Sequence, residues 1–222
     1  FQSILSEAAG LFNWQGSRAT TLSDIAGCMQ LTKTCVYYYV KTKEDLIYQC
    51  YVSSCDMWLA QAQQANALEA NGLEKIVSMV RRHFDQYVKA LNGEAPHFAM
   101  LTEVSSLDDA HAADIKARWA EIFGVCEAMV KQGIEEGVIE ELDSAVICSG
   151  IFAIPQWFPV WLNRSHAAKS EPVIDAVIDI LVNGLSAQRH EFANIEFPPL
   201  NNLPLDSFDR DVQNRMKREA FY

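Results

Sequence analysis

The sequence contains no uninterrupted apolar run near the roughly 18 residues that a membrane-spanning helix requires, although 50% of its residues are apolar. Its six cysteines form no C-x-x-C pair and no zinc-like spacing with histidine. It also has no glycine-rich phosphate loop and no serine with a histidine and an aspartate nearby. These absences predict no membrane partner, no metal or other cofactor and no catalytic residues. Because free cysteines persist in reducing compartments, we expect this 222-residue chain to be cytoplasmic.

The net charge of −11 argues at first against DNA as a partner, but the charge is unevenly distributed. Residues 1–50 carry four basic and four acidic side chains, so residues 51–222 carry the whole excess of acid. Between Ile25 and Lys43 there are three lysines and no acid. An acidic body repels a duplex, whereas a small neutral-to-basic head can approach it. This distribution favours a dimer that docks two heads on DNA.

The stretch from Thr20 to Leu46 is the most informative part of the chain. Thr21 followed by Asp24 is a capping box, in which a hydroxyl and a carboxylate satisfy amides left free at a helix N-terminus. Apolar residues then recur at helical spacing, at Leu22, Ile25, Ala26 and Met29. We therefore expect a short buried helix here.

A second short helix follows after a tight turn. Thr32 is placed to cap it, and it extends from Lys33 to about Tyr39. Thr42 with Asp45 forms another capping box, which opens a much longer helix. Two short helices joined by a three- to four-residue turn predict a helix-turn-helix, whose second helix lies in the major groove of DNA.

Several short motifs occur in order in the first fifty residues: Ile4-Leu5, Ala8-Ala9, Leu11-Phe12, Gly16, Thr20-Thr21-Leu22, Asp24-Ile25-Ala26, Tyr37-Tyr38-Tyr39 and Lys43-Glu44-Asp45-Leu46. Together they resemble the N-terminal domain of TetR-family transcriptional regulators. One departure is Gln30, which stands where the family usually has glycine. Gln30 must accept a left-handed backbone at a cost of about 1–2 kcal/mol, or the turn must change shape. The sequence begins at Phe1, so it leaves open whether a basic arm precedes the first helix.

The resemblance implies contacts with the phosphates of DNA. Thr21, Tyr37 and Lys43 correspond to phosphate-contacting positions in the family. Thr21 and Thr32 also stand at helix N-termini, where free amides attract phosphate.

We expect the bases to be contacted by the first turn of the second short helix. Lys33 can donate to guanine and Thr34 can touch a thymine methyl group, while Tyr38 contacts either backbone or base. The alternative for Lys33 is an ordinary solvated lysine. Three other residues of this helix are expected to pack against the neighbouring helices: Cys35, Val36 and Tyr39.

Helical periodicity continues through the rest of the chain, so the fold class is all-α. It predicts helices near residues 3–14, 43–68, 73–91, 108–136, 143–163 and 170–192. We divide the chain into a helix-turn-helix DNA-binding head (residues 1–46), a helical body for ligand binding and dimerisation (residues 47–195) and a C-terminal extension (residues 196–222). The extension has no helical period at first and then a short charged helix, and we expect it to pack on the body or on a partner subunit.

The body is rich in aromatic residues, most densely between Ile154 and Trp161. Trp157 and Trp161 share one helix face. One interpretation places this stretch in the dimer core, because the last two body helices pair between subunits in the TetR family. The other makes it a wall of an apolar ligand cavity, and both can hold. The cavity residues on this interpretation are Phe84, Tyr87, Trp119, Phe123, Trp157 and Trp161.

One group of side chains has a spacing that suits a metal. Asp108, His111 and Asp114 lie on one helix face, but acids collect naturally at a helix N-terminus, so we predict no metal site.

These observations predict a homodimeric, ligand-responsive regulator, a repressor that leaves a palindromic operator when a small apolar effector binds. The segment around Trp157 and Trp161 is similar to that of regulators that sense acyl-CoA or other lipid-like molecules. Two alternatives remain. In the first, the chain is a protein-interaction module whose helix-turn-helix no longer reads DNA. In the second, it is a helical lipid-binding protein or an enzyme. The operator, the effector and the regulated genes are not encoded in any recognisable pattern.

Overall fold

The structure, a computed structural model, describes residues 1–161 and 170–183, and it describes their side chains except those of residues 156–161. Every regular element in these ranges is helical. The α-helices are α1 (Gln2–Gln15), α2 (Leu22–Cys28), α3 (Lys33–Tyr39), α4 (Lys43–Asn66), α5 (Gly72–Leu91), α6 (Asp109–Glu135), α7 (Ser144–Trp161) and α8 (Ser170–Asn183), and a 3-10 turn spans Val104–Ser106. The all-α prediction is confirmed. None of these helices is both long enough and apolar enough to cross a membrane.

The head is a small bundle held together by apolar side chains from four helices. Helix α3 is attached by one buried residue of its own, Val36, and by Val40 immediately after it. The buried residues of the other helices are Ile4, Leu5, Ala8 and Ala9 of α1, Leu22, Ile25 and Ala26 of α2, and Leu46 and Ile47 of α4. Gly16 ends α1 with a left-handed backbone, φ 81°.

Helix α4 connects the head to the body. It packs on α1 in the head and on α5 and α6 in the body. Its buried face carries apolar side chains from Leu46 to Ala62. Its N-terminus departs from the prediction. The Thr42 hydroxyl accepts from the Asp45 amide at 3.0 Å, but the Asp45 carboxylate accepts from the Lys41 amide and not from that of Thr42. The capping box is therefore only half formed.

The start of α5 crosses the end of α6 at very short range. A Cβ atom on Gly72 would lie 2.3 Å from both the Gly133 amide nitrogen and the Met129 carbonyl oxygen. The Gly72 amide donates to the Glu136 carboxylate at 2.8 Å. Two glycines thus allow these helix backbones to approach more closely than any side chain would permit.

The helix bounds agree with the predictions to within two residues for α1, α4, α5 and α6. Between α5 and α6, the segment that begins at Pro96 is irregular up to the 3-10 turn. The predicted ends of α7 near Asn163 and of α8 near Phe192, together with the whole C-terminal extension, lie outside the described residues. The boundary proposed at residues 46 and 47 falls inside the continuous helix α4.

Candidate functional site

The turn between α2 and α3 is tight and left-handed at Gln30, whose φ is 55°. The Gln30 amide donates to the Gly27 carbonyl at 3.0 Å, and the Leu31 amide donates to the Ala26 carbonyl at 2.8 Å. These bonds satisfy carbonyls at the end of α2, as a glycine-terminated helix normally does. The chain therefore keeps the helix-turn-helix geometry without the glycine, and Gln30 bears the strain that the sequence predicts.

The predicted capping box at the start of α2 is confirmed. The Asp24 amide donates to the Thr21 hydroxyl at 3.1 Å, and the Thr21 amide donates to the Asp24 carboxylate at 2.7 Å. The Thr21 hydroxyl also donates to this carboxylate. These bonds lower the pKa of Asp24 below its usual range, the backbone bond most strongly.

Helix α3 exposes six of its seven residues, and only Val36 is buried. The side chain of Tyr38 is 84% exposed, and the Lys33 ammonium lies 5.4 Å from the centre of the Tyr37 ring. Thr34 is exposed beside them. Such a helix adds almost nothing to the protein core, and it offers cationic, hydroxyl and aromatic groups to a partner.

Two packing predictions for α3 are wrong. Tyr39 is 49% exposed and stacks on the Phe1 ring with a centroid distance of 5.4 Å. Cys35 is exposed, and its thiol lies 3.2 Å from the Thr32 hydroxyl. The helix is so short that it buries only Val36, with Val40 buried directly after it, while Cys35 and Tyr39 remain at the surface.

The two remaining residues expected to contact phosphate already have partners within the head. Thr32 precedes α3, but its hydroxyl accepts no hydrogen bond from the amides at the start of that helix. The Lys43 ammonium donates to the Ser17 carbonyl at 3.0 Å and is half-buried. Three helices, α2, α3 and α4, begin within the head. Thr21, Thr32 and Lys43 stand at these three helix N-termini.

An aromatic cluster fills the body where α4, α5, α6 and α7 meet. Its members in contact are Trp58, His83, Phe84, Tyr87, Phe98, Trp119, Phe123 and Phe152. Of the residues expected to line a ligand cavity, Phe84 and Tyr87 are buried and Trp119 and Phe123 are half-buried. The side chains of Trp157 and Trp161 lie outside the described residues.

Sequence reasoning missed four members of this cluster: Trp58, His83, Phe98 and Phe152. His83 has the most unusual environment. It is 2% exposed, its ring stacks on Trp58 at 3.7 Å, and its Nδ1 atom has no hydrogen-bond partner among the described residues. Burial lowers the pKa of His83 to about 3, so the imidazole is neutral at physiological pH. The available signal was its position in α5, on the same apolar face as Val80, Phe84 and Tyr87.

Comparison with known proteins agrees with this architecture. The family model described as "Tetracyclin repressor-like, C-terminal domain" matches residues 69–185, just over half of the chain. The chain belongs to the TetR family. Its members are transcriptional regulators, and this TetR-family chain is one of them.

Two curated relatives align along most of this TetR-family chain. The HTH-type transcriptional repressor KstR2 of Mycobacterium tuberculosis is 26% identical over 193 residues, 83% of this chain and 92% of that protein. The "fatty acid metabolism regulator protein" of Bacillus subtilis is 20% identical over 191 residues, 83% and 95% of the two chains. The fold also matches the crystal structure of AibR in complex with isovaleryl coenzyme A and operator DNA. That match has a TM-score of 0.66 at 22% identity and covers 81% of this chain and 96% of that one.

A connecting segment, residues 92–108, ties the body of this TetR-family chain to its head. The Asn13 side chain donates to the Phe98 carbonyl at 2.7 Å and accepts from the Met100 amide at 3.0 Å. The Ser17 hydroxyl donates to the Glu103 carboxylate. Four further backbone amides of the segment donate to side chains of α1 and α4: His97 to Ser6, Ala99 to Ser54, Glu103 to Tyr51 and Asp108 to Glu44.

The acidic side chains considered for a metal accept hydrogen bonds from protein groups. Asp108 caps α6 through the His111 amide at 2.8 Å, and Asp114 accepts from Arg118 and from the Tyr48 hydroxyl. In the part of the chain that the structure describes, no three histidine, cysteine, aspartate or glutamate side chains are grouped to hold a metal ion.

Two buried thiols of the body are poor nucleophiles. Burial raises the pKa of Cys50 to about 12 and that of Cys55 to about 11. Because the thiolate is the reactive form, both cysteines act as small apolar residues of the core.

Proposed function

We propose that this regulator is a homodimeric repressor that reads a two-fold symmetric operator through α3 and leaves it when a small apolar effector binds the body. The observation that carries the DNA-reading part is the exposure of α3, which has only Val36 buried. A helix attached so lightly is free to enter the major groove without losing core contacts.

Each predicted DNA contact has a role in this proposal. Lys33 and Thr34, in the first turn of α3, read base edges, and Tyr38 contacts backbone or base. Phosphates are held at the three helix starts of the head and by the exposed Tyr37 hydroxyl. The residues at those helix starts are Thr21, Thr32 and Lys43. Lys43 exchanges its bond to the Ser17 carbonyl for a phosphate, which is a charged and therefore stronger acceptor.

The dimer interface is proposed on α7 and α8. Helix α8 exposes Val173, Ala176 and Ile180 at spacings of three and four residues, which forms one apolar stripe. Val146 of α7 is 68% exposed. A second subunit that covers these surfaces removes them from water and fixes the two heads at a spacing of about 34–36 Å or a multiple of it, as two half-sites require.

The effector class follows from the aromatic lining of the body and from the relatives. The AibR structure contains isovaleryl coenzyme A, and the Bacillus subtilis relative is named for fatty acid metabolism. We therefore propose an acyl-CoA or another lipid-like molecule, with Phe84, Tyr87, Trp119, Phe123, Trp157 and Trp161 as its apolar wall.

Helix α4 transmits effector binding in this proposal. It begins in the head at Lys43 and carries Trp58 into the aromatic cluster, so a displacement at the cluster reaches the head along one helix. An effector that binds better when the heads are wrongly spaced lowers operator affinity by its differential affinity for the two states. The protein acts in the cytoplasm, where the operator is, and regulates without catalysis.

The direct test is selection of binding sequences from a random pool of DNA duplexes at moderate salt. Wild-type protein and Lys116→Ala, which removes an exposed lysine from the body, should both enrich a two-fold symmetric motif. Lys33→Ala should lose the motif, and Tyr37→Phe should weaken binding uniformly across sequences. No enrichment by wild-type protein, even at low salt, would instead favour the protein-interaction module.

A further inference from the structure

His83 is a polar side chain enclosed by aromatic rings. The Trp58 ring stacks on it at 3.7 Å with an interplanar angle of 27°, and the Phe98 ring lies 4.7 Å away. The side chain is 2% exposed, and Nδ1 makes no hydrogen bond to any residue that the structure describes. A buried polar atom without a partner destabilises a protein, so natural structures rarely retain one without a reason.

Packing alone gives no such reason. Phenylalanine has a ring of similar size and would stack on Trp58 without an unsatisfied nitrogen. The neighbouring positions on the same face of α5 are indeed apolar or aromatic, namely Val80, Phe84 and Tyr87. Histidine at position 83 therefore adds polar ring nitrogens to an apolar environment, and one of them, Nδ1, is buried without a hydrogen-bond partner among the described residues.

We propose that His83 Nδ1 is the polar anchor of the effector site and binds an uncharged oxygen, a carbonyl or a hydroxyl, of an otherwise apolar molecule. This inference rests on the proposed function and narrows its effector class. A neutral imidazole can donate to a carbonyl or accept from a hydroxyl. It cannot compensate the desolvation of a carboxylate, so a free fatty acid is excluded and a thioester fits.

The site is also placed to influence the head. Phe98, whose ring contacts both His83 and Tyr87, has its backbone carbonyl held by Asn13 of α1. A molecule that binds His83 must therefore share space with a residue that is tied directly to the DNA-binding head.

The test compares two ligands that differ only at the proposed oxygen. Decanoyl-coenzyme A has a thioester carbonyl, and S-decyl-coenzyme A is the thioether without it. Their affinities for full-length wild-type protein, measured by calorimetry, should differ about tenfold in favour of the thioester, because one buried hydrogen bond is gained. Decanoate should bind worse than either, and decanol should show the same dependence on His83 as the thioester.

Variants at position 83 test whether the thioester preference depends on the His83 imidazole. His83→Phe should reduce the thioester preference to about one while it binds the thioether at least as well as wild type, and it should raise the Tm of the free protein. His83→Gln retains a hydrogen-bonding group and should restore part of the preference. His83→Leu serves if the phenylalanine variant does not fold. His111→Phe is the matched control, because His111 also stacks on an aromatic ring, that of Tyr48, and lies outside the cluster.

Three results would overturn the proposal. One is an equal affinity of wild-type protein for the two coenzyme A derivatives. Another is an undiminished thioester preference in His83→Phe, which would leave the acyl-CoA function intact and place its anchor elsewhere. The third is the failure of wild-type protein to bind either derivative, which would remove the acyl-CoA effector as well.

Discussion

The side chain of Asn13 in α1 holds the backbone around Phe98, donating to its carbonyl at 2.7 Å and accepting from the amide of Met100 at 3.0 Å. The Phe98 ring contacts His83 and Tyr87 in the aromatic cluster. One residue of the connecting segment thus touches both the proposed effector site and the first helix of the head.

This contact predicts that Asn13→Ala uncouples the two functions. The variant should bind decanoyl-coenzyme A with wild-type affinity, but the effector should weaken operator binding roughly fivefold less, since mutations in coupled networks change coupling by about 0.5–2 kcal/mol. Operator affinity measured by fluorescence anisotropy, with and without effector, checks it. Gln15→Ala is the control, because the Gln15 side chain donates to the Thr20 hydroxyl within the head and makes no hydrogen bond to the described part of the connecting segment. Equal coupling in both variants would exclude this route.

The strain at Gln30 predicts a simple stabilisation. Gln30→Gly relieves a left-handed backbone, φ 55°, and should raise the free energy of unfolding by about 1 kcal/mol. Gly137→Ala makes the reverse change, at a residue with φ 71° and with open space around the new Cβ. It should lower the free energy of unfolding by about 1 kcal/mol. Urea unfolding of both variants measures this. A Gln30→Gly protein no more stable than wild type would mean that the Gln30 side chain makes compensating interactions.

The crossing of α5 and α6 predicts a strong effect of one methyl group. Gly72→Ala would place Cβ 2.3 Å from backbone atoms of α6, so the helices must separate, and we expect a loss of about 2–3 kcal/mol. Gly124→Ala is the matched control in α6, where nothing lies within 4 Å of the new Cβ. Because alanine has a higher helix propensity than glycine, this variant should have a free energy of unfolding about 0.5–1 kcal/mol higher than wild type. Thermal unfolding compares them, and a neutral Gly72→Ala would disprove the close approach.

Buried His83 predicts a defined pH dependence. Its pKa is about 3 in the folded protein and about 6.5 in the unfolded chain, so between these values the unfolded chain binds the additional proton. The contribution of neutral His83 to the free energy of unfolding is therefore fully present above pH 6.5 and declines as the pH falls towards 3. From pH 7 to pH 5, wild-type protein should lose about 2 kcal/mol more than His83→Phe in urea unfolding. Identical losses would mean that His83 is not buried as a neutral ring.

The sequence predicts the head well because its signals are local. The capping box of Thr21 and Asp24 and the apolar spacing of α2 each depend on residues within one helical turn. For Tyr39 the sequence predicts packing against the neighbouring helices. That prediction is wrong because this seven-residue helix buries only Val36, with Val40 directly after it, and Tyr39 stacks on the exposed ring of Phe1.

The body is harder to predict because its important contacts join residues far apart in the chain. The apolar face of α5 contains His83, but nothing in periodicity indicates that Trp58 stacks on it or that Phe98 closes the other side. Phe98 lies in an irregular segment with no repeat to interpret, and Asn13 fixes it across 85 residues of sequence. The proposed effector site therefore emerges only from tertiary structure, whereas the family and the helix proposed to read DNA are visible in the sequence.

The most direct test of the whole account is the operator affinity of wild-type protein, measured with the duplex recovered by selection, before and after saturation with decanoyl-coenzyme A. We predict that the saturated protein binds the operator at least about tenfold more weakly, within the usual range of allosteric coupling. An operator affinity that does not change while calorimetry shows the effector bound would contradict a ligand-released repressor.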